Sequence, residues 1–197
     1  MLELKGIIPA MLTPLTDKQT INDEVVVQLT RHLIDSGVHG IFILGTNGEF
    51  HLLSAEEKLH LARIVIREAK GKVPVIVGTG GDNTEGVIAL SRQMEELGAD
   101  GLSVITPYFI APTQEELIVH YEKIAAATSL PILLYNIPAR TGVHLEPETV
   151  ARLAKIPNMI GIKDSGAAST IFPNISKLPR MKHFPSMLAP IRSSSGR

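Results

Sequence analysis

A lysine closes the apolar run Met159-Ile-Gly-Ile-Lys163. At the end of a buried strand an ammonium is poorly hydrated, which favours the neutral amine. A neutral amine is the nucleophile that forms a Schiff base with a carbonyl. The same lysine can equally lean into solvent or pair with Asp164. Tyr135 lies in Leu133-Leu-Tyr-Asn-Ile-Pro138; a phenol there can relay protons to a forming carbinolamine, or serve as a core aromatic. Arg140, in Pro138-Ala-Arg-Thr-Gly142, can clamp a carboxylate through two parallel hydrogen bonds or make a loop salt bridge. In Gly45-Thr-Asn-Gly-Glu49 two glycines allow close backbone approach. The N–H groups of Thr46 and Asn47 can then bind a carboxylate, and the Thr46 hydroxyl can join a proton relay. A plain polar turn has the same composition.

The elements that would position these residues alternate along the chain. Apolar, β-branched runs at Gly6–Pro14, Gly40–Gly45, Val73–Gly78, Gly101–Thr106, Leu130–Ile137 and Met159–Lys163 read as strands. Between them, Asp23–Asp35, Ala55–Lys70, Thr84–Leu97, Gln114–Thr128 and Pro147–Lys155 carry helical periodicity. Ser54 with Glu57, and Thr113 with Glu116, match the capping-box pattern. Asp82 or Asn83 can cap the third helix, and Gly37, Gly71 and Gly98 read as left-handed helix stops. The strand starts recur about every 30 residues, one strand–helix unit. The strands are continuous apolar runs, as expected of parallel strands buried on both faces. Thr46, Asn47, Tyr135, Arg140 and Lys163 all fall at or just after carboxyl ends of these strands. In a (β/α)8 TIM barrel that end holds the active site. An open doubly wound sheet also fits the alternation, but the evenness of the repeat favours the barrel. Six units are legible, so the expectation is a barrel cut short after its sixth strand. Residues 1–166 then form barrel units one to six, and 167–197, with four prolines, form an irregular remnant without a clear strand.

Other chemistries are disfavoured. Twenty acidic residues face nineteen basic ones, for a net charge of -1, which speaks against a nucleic-acid partner. There is no cysteine, so disulfides, thiolate metal sites and a cysteine nucleophile are out of reach. No P-loop, nucleophile elbow or His-Glu-x-x-His motif occurs. The seven histidines show no metal-ligand spacing. No run approaches the ~20 apolar residues of a membrane helix, and no secretory signal is visible, so the expectation is a cytoplasmic protein.

Taken together, Gly6–Pro14, Gly45-Thr-Asn-Gly-Glu49, Val77-Gly-Thr-Gly80, Thr106-Pro-Tyr108, Tyr135-Asn-Ile-Pro-Ala-Arg-Thr-Gly142 and Gly161-Ile-Lys-Asp-Ser165 resemble the dihydrodipicolinate synthase / N-acetylneuraminate lyase family of pyruvate-dependent class I aldolases. The resemblance implies that Lys163 forms the imine with pyruvate, that Tyr135 and Thr46 form the proton relay, and that Thr46 and Asn47 hold the pyruvate carboxylate. It implies that Arg140 contacts the carboxylate of the second substrate, as in the synthase branch. The implied reaction joins pyruvate to aspartate semialdehyde in lysine biosynthesis, without metal or organic cofactor, in a homotetramer built as a dimer of dimers. Two positions depart from the synthase pattern: Asn47 stands where a second threonine is usual, and Phe109 where a second tyrosine is usual. They make a 2-keto-3-deoxy sugar-acid aldolase the alternative. A non-catalytic protein that binds a 2-oxo acid is a third reading.

Overall fold

The computed structural model describes Leu2, residues 4–166 and, as backbone, residues 186–188. Five of the apolar runs form strands: β1 (Ile41–Ile43), β2 (Val75–Gly78), β3 (Gly101–Ile105), β4 (Ile132–Asn136) and β5 (Met159–Asp164). Each pairs in parallel with the next, and all but Ile160 of their residues are buried. Burial on both faces accounts for the lack of polar alternation. A sixth strand, β6 (Ser186–Leu188), pairs in parallel with β5. This corrects the expectation of no strand after residue 166; its three residues, between Pro185 and Pro190, are too short to register as a strand-like run. The other residues of 167–197, expected as an irregular remnant, lie outside the described residues.

The expected first strand, Gly6–Pro14, is shorter than its apolar pattern. It bonds to β1 through Phe42 N–H to the Pro9 carbonyl, at 3.0 Å, and Met11 N–H to the Phe42 carbonyl, at 2.8 Å. Only Ala10 forms a bridge. Pro9 brings no N–H to the ladder and Pro14 ends it. The order is thus an amino-terminal segment, then β1 to β6 in sequence, the winding of a (β/α) barrel.

The crossovers are α1 (Asp23–Asp35), α2 (Ala55–Ala69), α3 (Thr84–Glu96), α4 (Gln114–Ala127), a single turn α5 (Pro138–Thr141) and α6 (Pro147–Leu153). Both capping boxes form, at Ser54 with Glu57 and Thr113 with Glu116, and Asn83 caps α3. Gly37, Gly71 and Gly98 adopt positive φ of 76°, 75° and 87°, where helices α1 to α3 end. The largest hydrophobic cluster lies between sheet and helices and includes Val26, Leu61, Leu102, Tyr121 and Leu134. A smaller one, Phe42, Ile76 and Leu133, fills the inner face.

The end of β1 carries a feature that composition hides. Leu44 sits at φ 55°, a strained conformation for a bulky residue. It aims its carbonyl oxygen at Gly78, where an added Cβ would lie 2.1 Å away. Only glycine lets these two strand ends meet, and the turn that presents Thr46 begins one residue later.

Candidate active site

Tyr135 and Lys163 are register partners on β4 and β5. Residues paired in register lie side by side, so both side chains point to the inner face. The Lys163 Nζ sits 3.3 Å from the centre of the Tyr135 ring and 5.5 Å from that of Phe42. Its hydrogen-bond contact is with the Ser165 hydroxyl, at 3.5 Å. Lys163 is 7% exposed. Burial lowers its pKa from 10.5 to about 7. The ring faces oppose that change by attracting an ammonium, worth about 1–2 kcal/mol. The drop from 10.5 to about 7 corresponds to about 5 kcal/mol, so burial decides. At neutral pH about half of the amine is unprotonated, against on the order of 1 in 3,000 for an ordinary lysine.

From the turn after β1, the Thr46 hydroxyl lies 3.1 Å from the Tyr135 hydroxyl. Residues 46–48 form a 3-10 turn, whose leading N–H groups, those of Thr46 and Asn47, have no partner within the turn. These donors, Glu49, Tyr108 and Arg140 line a cavity of about 450 Å3 that opens among the carboxyl-end loops. Asn47 and Arg140 are exposed at its rim. Arg140 is carried by α5, a single turn with Pro138 at its start. A larger cavity of about 800 Å3 lies at the opposite end of the sheet, near Pro74 and Asp100. That end of a barrel supports stability rather than chemistry.

Each residue expected from the sequence therefore reaches the same end of the sheet. The buried Lys163 amine lies on the ring face of the buried Tyr135, whose hydroxyl meets that of the half-buried Thr46, and Asn47 and Arg140 stand at the mouth. Sequence reasoning missed Phe42, whose ring supports both Lys163 and Tyr135. It also gave no role to Asn136 and weighed Asp164 only as an ion-pair partner of Lys163, although a polar pair in otherwise apolar strand ends is a visible signal. Asn136 donates from Nδ2 to Asp164 Oδ1 at 2.9 Å and accepts at Oδ1 from Leu145 N–H at 3.0 Å. The same carboxyl oxygen accepts from Gly166 N–H at 2.9 Å.

Residues 3–182 match the model of the dihydrodipicolinate synthetase family. The chain belongs to this family. Among curated members it is similar to 4-hydroxy-tetrahydrodipicolinate synthase 1 of Halalkalibacterium halodurans, 45% identical over 159 residues, which cover 81% of this chain and 54% of the relative. The 4-hydroxy-tetrahydrodipicolinate synthase of Bacillus subtilis is 42% identical over 172 residues, covering 86% and 59%. The chain thus spans little more than half the length of these family members. Solved family structures superpose closely. Dihydrodipicolinate synthase DapA-2 of Bacillus anthracis gives a TM-score of 0.91 at 35% identity, over 96% of this chain and 64% of that one. YagE, a prophage protein of E. coli K12 solved in complex with pyruvate, gives 0.88 at 37% identity, over 93% and 63%. The fold is accordingly the barrel of this family, seen over its first units. Among the described residues no helix is long and apolar enough to cross a membrane.

Proposed function

We propose that the protein is a class I aldolase or synthase that captures pyruvate on Lys163 as an imine and joins it to an aldehyde. The observation that carries this reading is a buried amine, with its pKa lowered to about 7, stacked on the ring of a tyrosine whose hydroxyl contacts Thr46. The neutral amine adds to the ketone carbon of pyruvate. Tyr135, coupled to Thr46, delivers a proton to the ketone oxygen, recovers one from the nitrogen of the adduct, and passes it to the carbinolamine hydroxyl, so that water departs and the iminium remains. The iminium withdraws electrons from C3, which gives up a proton to form an enamine. The enamine carbon bonds to the aldehyde carbon, the aldehyde oxygen takes up a proton, and water hydrolyses the resulting iminium, which releases the product and returns the amine. The imine itself is the electron sink, so the scheme requires no metal or organic cofactor.

The N–H groups of Thr46 and Asn47 suit the pyruvate carboxylate, and the Arg140 guanidinium suits a second carboxylate at the mouth. This favours aspartate semialdehyde as partner, as the resemblance to the synthase branch implies, and the curated relatives carry the name 4-hydroxy-tetrahydrodipicolinate synthase. Asn47 and Phe109 favour a second reading, a 2-keto-3-deoxy sugar-acid aldolase, because Phe109 has no hydroxyl to extend a relay. A cytoplasmic homotetramer, built as a dimer of dimers, is part of the proposal. The resemblance to the family implies this assembly, and its subunit contact is supported by Phe109 and Ile110, 96% and 77% exposed at the same rim. Such apolar groups favour burial against a partner.

The test is a condensation assay with pyruvate and each aldehyde. Faster turnover with aspartate semialdehyde than with glyceraldehyde is expected. The reverse order selects the second reading, and no turnover with either, together with no pyruvate captured by borohydride, rejects the aldolase.

A further inference from the structure

Ser165 stands two residues after Lys163, so its side chain returns to the same inner face of the sheet. Its backbone is held there. Ser165 N–H donates to the Asn136 carbonyl at 2.8 Å, one residue past the end of β5. The next N–H, that of Gly166, turns back onto Asp164 Oδ1 at 2.9 Å. Ser165 is 4% exposed, and a buried hydroxyl is costly unless it is hydrogen-bonded. Its partner is the Lys163 amine, at 3.5 Å. Among the described residues this hydroxyl is the only hydrogen-bond contact of that amine. The other neighbours of Nζ, Tyr135 and Phe42, present ring faces. The contact is long, as catalytic hydrogen bonds often are before substrate binds.

We propose that Ser165 is a further catalytic residue, whose hydroxyl oxygen accepts a hydrogen bond from the Lys163 nitrogen in the iminium and keeps that nitrogen protonated. The inference rests on Lys163 being the imine-forming group. The carbinolamine nitrogen carries one hydrogen, and loss of water leaves that hydrogen on the iminium. A serine hydroxyl offers two acceptor lone pairs, and a hydrogen bond to the charged form favours that form. When C3 releases its proton to solvent, the C–H electron pair becomes the C2–C3 double bond and the C=N pair moves onto nitrogen. A protonated nitrogen receives that pair as a neutral enamine. A deprotonated one would have to carry a full negative charge, which is costly in a buried site. Tyr135 moves the protons exchanged with oxygen, and Ser165 holds the one that stays on nitrogen.

The experiment follows C3 of pyruvate without any aldehyde. Deuterium entering C3 in heavy water, read by proton NMR, reports enamine formation. Borohydride capture, read by mass, reports the imine. In Ser165→Ala at saturating pyruvate, capture is expected to match the wild type, because removing an acceptor from the ammonium does not lower the share of free amine. Exchange per captured imine is expected to fall about 10–100-fold, the loss of one hydrogen bond to a charged group. Ser165→Thr, which keeps the hydroxyl, is expected to exchange within a few-fold of the wild type. Should alanine prevent folding, Ser165→Cys, a weak acceptor of similar size, takes its place. Unchanged exchange in the variant without the hydroxyl overturns the proposal. Capture and exchange that fall together overturn it as well, since that marks a distorted site. So does a Ser165→Thr protein as slow as Ser165→Ala. A wild type that captures no pyruvate refutes the imine at Lys163 itself, and this role of Ser165 with it, whereas normal capture with unchanged exchange refutes Ser165 alone.

Discussion

Replacing Lys163 by methionine is expected to stabilise the fold and to abolish imine formation. The magnitude follows from the two protonation states. In the unfolded chain the amine titrates near 10.5, and in the folded protein burial brings it to about 7. Between those values the unfolded state binds the extra proton, so wild-type stability rises with pH across this window. Below about pH 7 both states are protonated and the folded state carries the full cost of a buried ammonium, about 5 kcal/mol. The ring faces of Tyr135 and Phe42 return about 1–2 kcal/mol of it. Methionine is unbranched and apolar and fills a similar space, so Lys163→Met removes the cost without opening a cavity. Urea unfolding near pH 7 is expected to show a gain of at least about 2 kcal/mol, shrinking to below about 1 kcal/mol near pH 10. Loss of stability at pH 7, or a gain that does not change with pH, would refute the burial of a charge at this position.

Other substitutions separate the roles of the remaining groups. Tyr135→Phe keeps the ring under the amine and removes the hydroxyl, so turnover is expected to fall on the order of 10²–10⁴-fold with pyruvate affinity changed only a few-fold; steady-state kinetics with both substrates check this. Arg140→Ala is expected to raise KM for a carboxylate-bearing aldehyde by about 10–100-fold, the loss of one charged hydrogen-bond pair, while pyruvate capture by borohydride proceeds as before. Gly78→Ala places a methyl group against the Leu44 carbonyl oxygen. It is expected to cost about 1–3 kcal/mol in urea unfolding and to slow turnover by shifting the turn that bears Thr46.

Much of this architecture was legible because its signals are local. Capping boxes at Ser54 and Thr113 and left-handed glycines at the ends of α1 to α3 are decided within a few residues. Lys163 stood out because a charge ending an apolar strand is conspicuous in one dimension. What escaped depends on contacts between distant segments. Phe42 meets Lys163 only when β1 and β5 share an inner face, and Asn136 meets Asp164 only once β4 and β5 are in register. The register shift between Ile132 and Leu133 is not marked by any glycine or proline at those positions. The strain at Leu44 was hidden for another reason. Leucine ordinarily avoids positive φ, so composition points away from the turn, and only its packing against Gly78 accounts for it.

The most direct measurement is the position of the covalent bond. The protein is incubated with pyruvate near neutral pH, reduced with borohydride, digested, and its peptides weighed. The expected result is a gain equal to pyruvate less one oxygen atom, confined to the peptide that carries Lys163 and absent from Lys163→Met. A gain spread over surface lysines, or one that persists in that variant, would contradict Lys163 as the nucleophile.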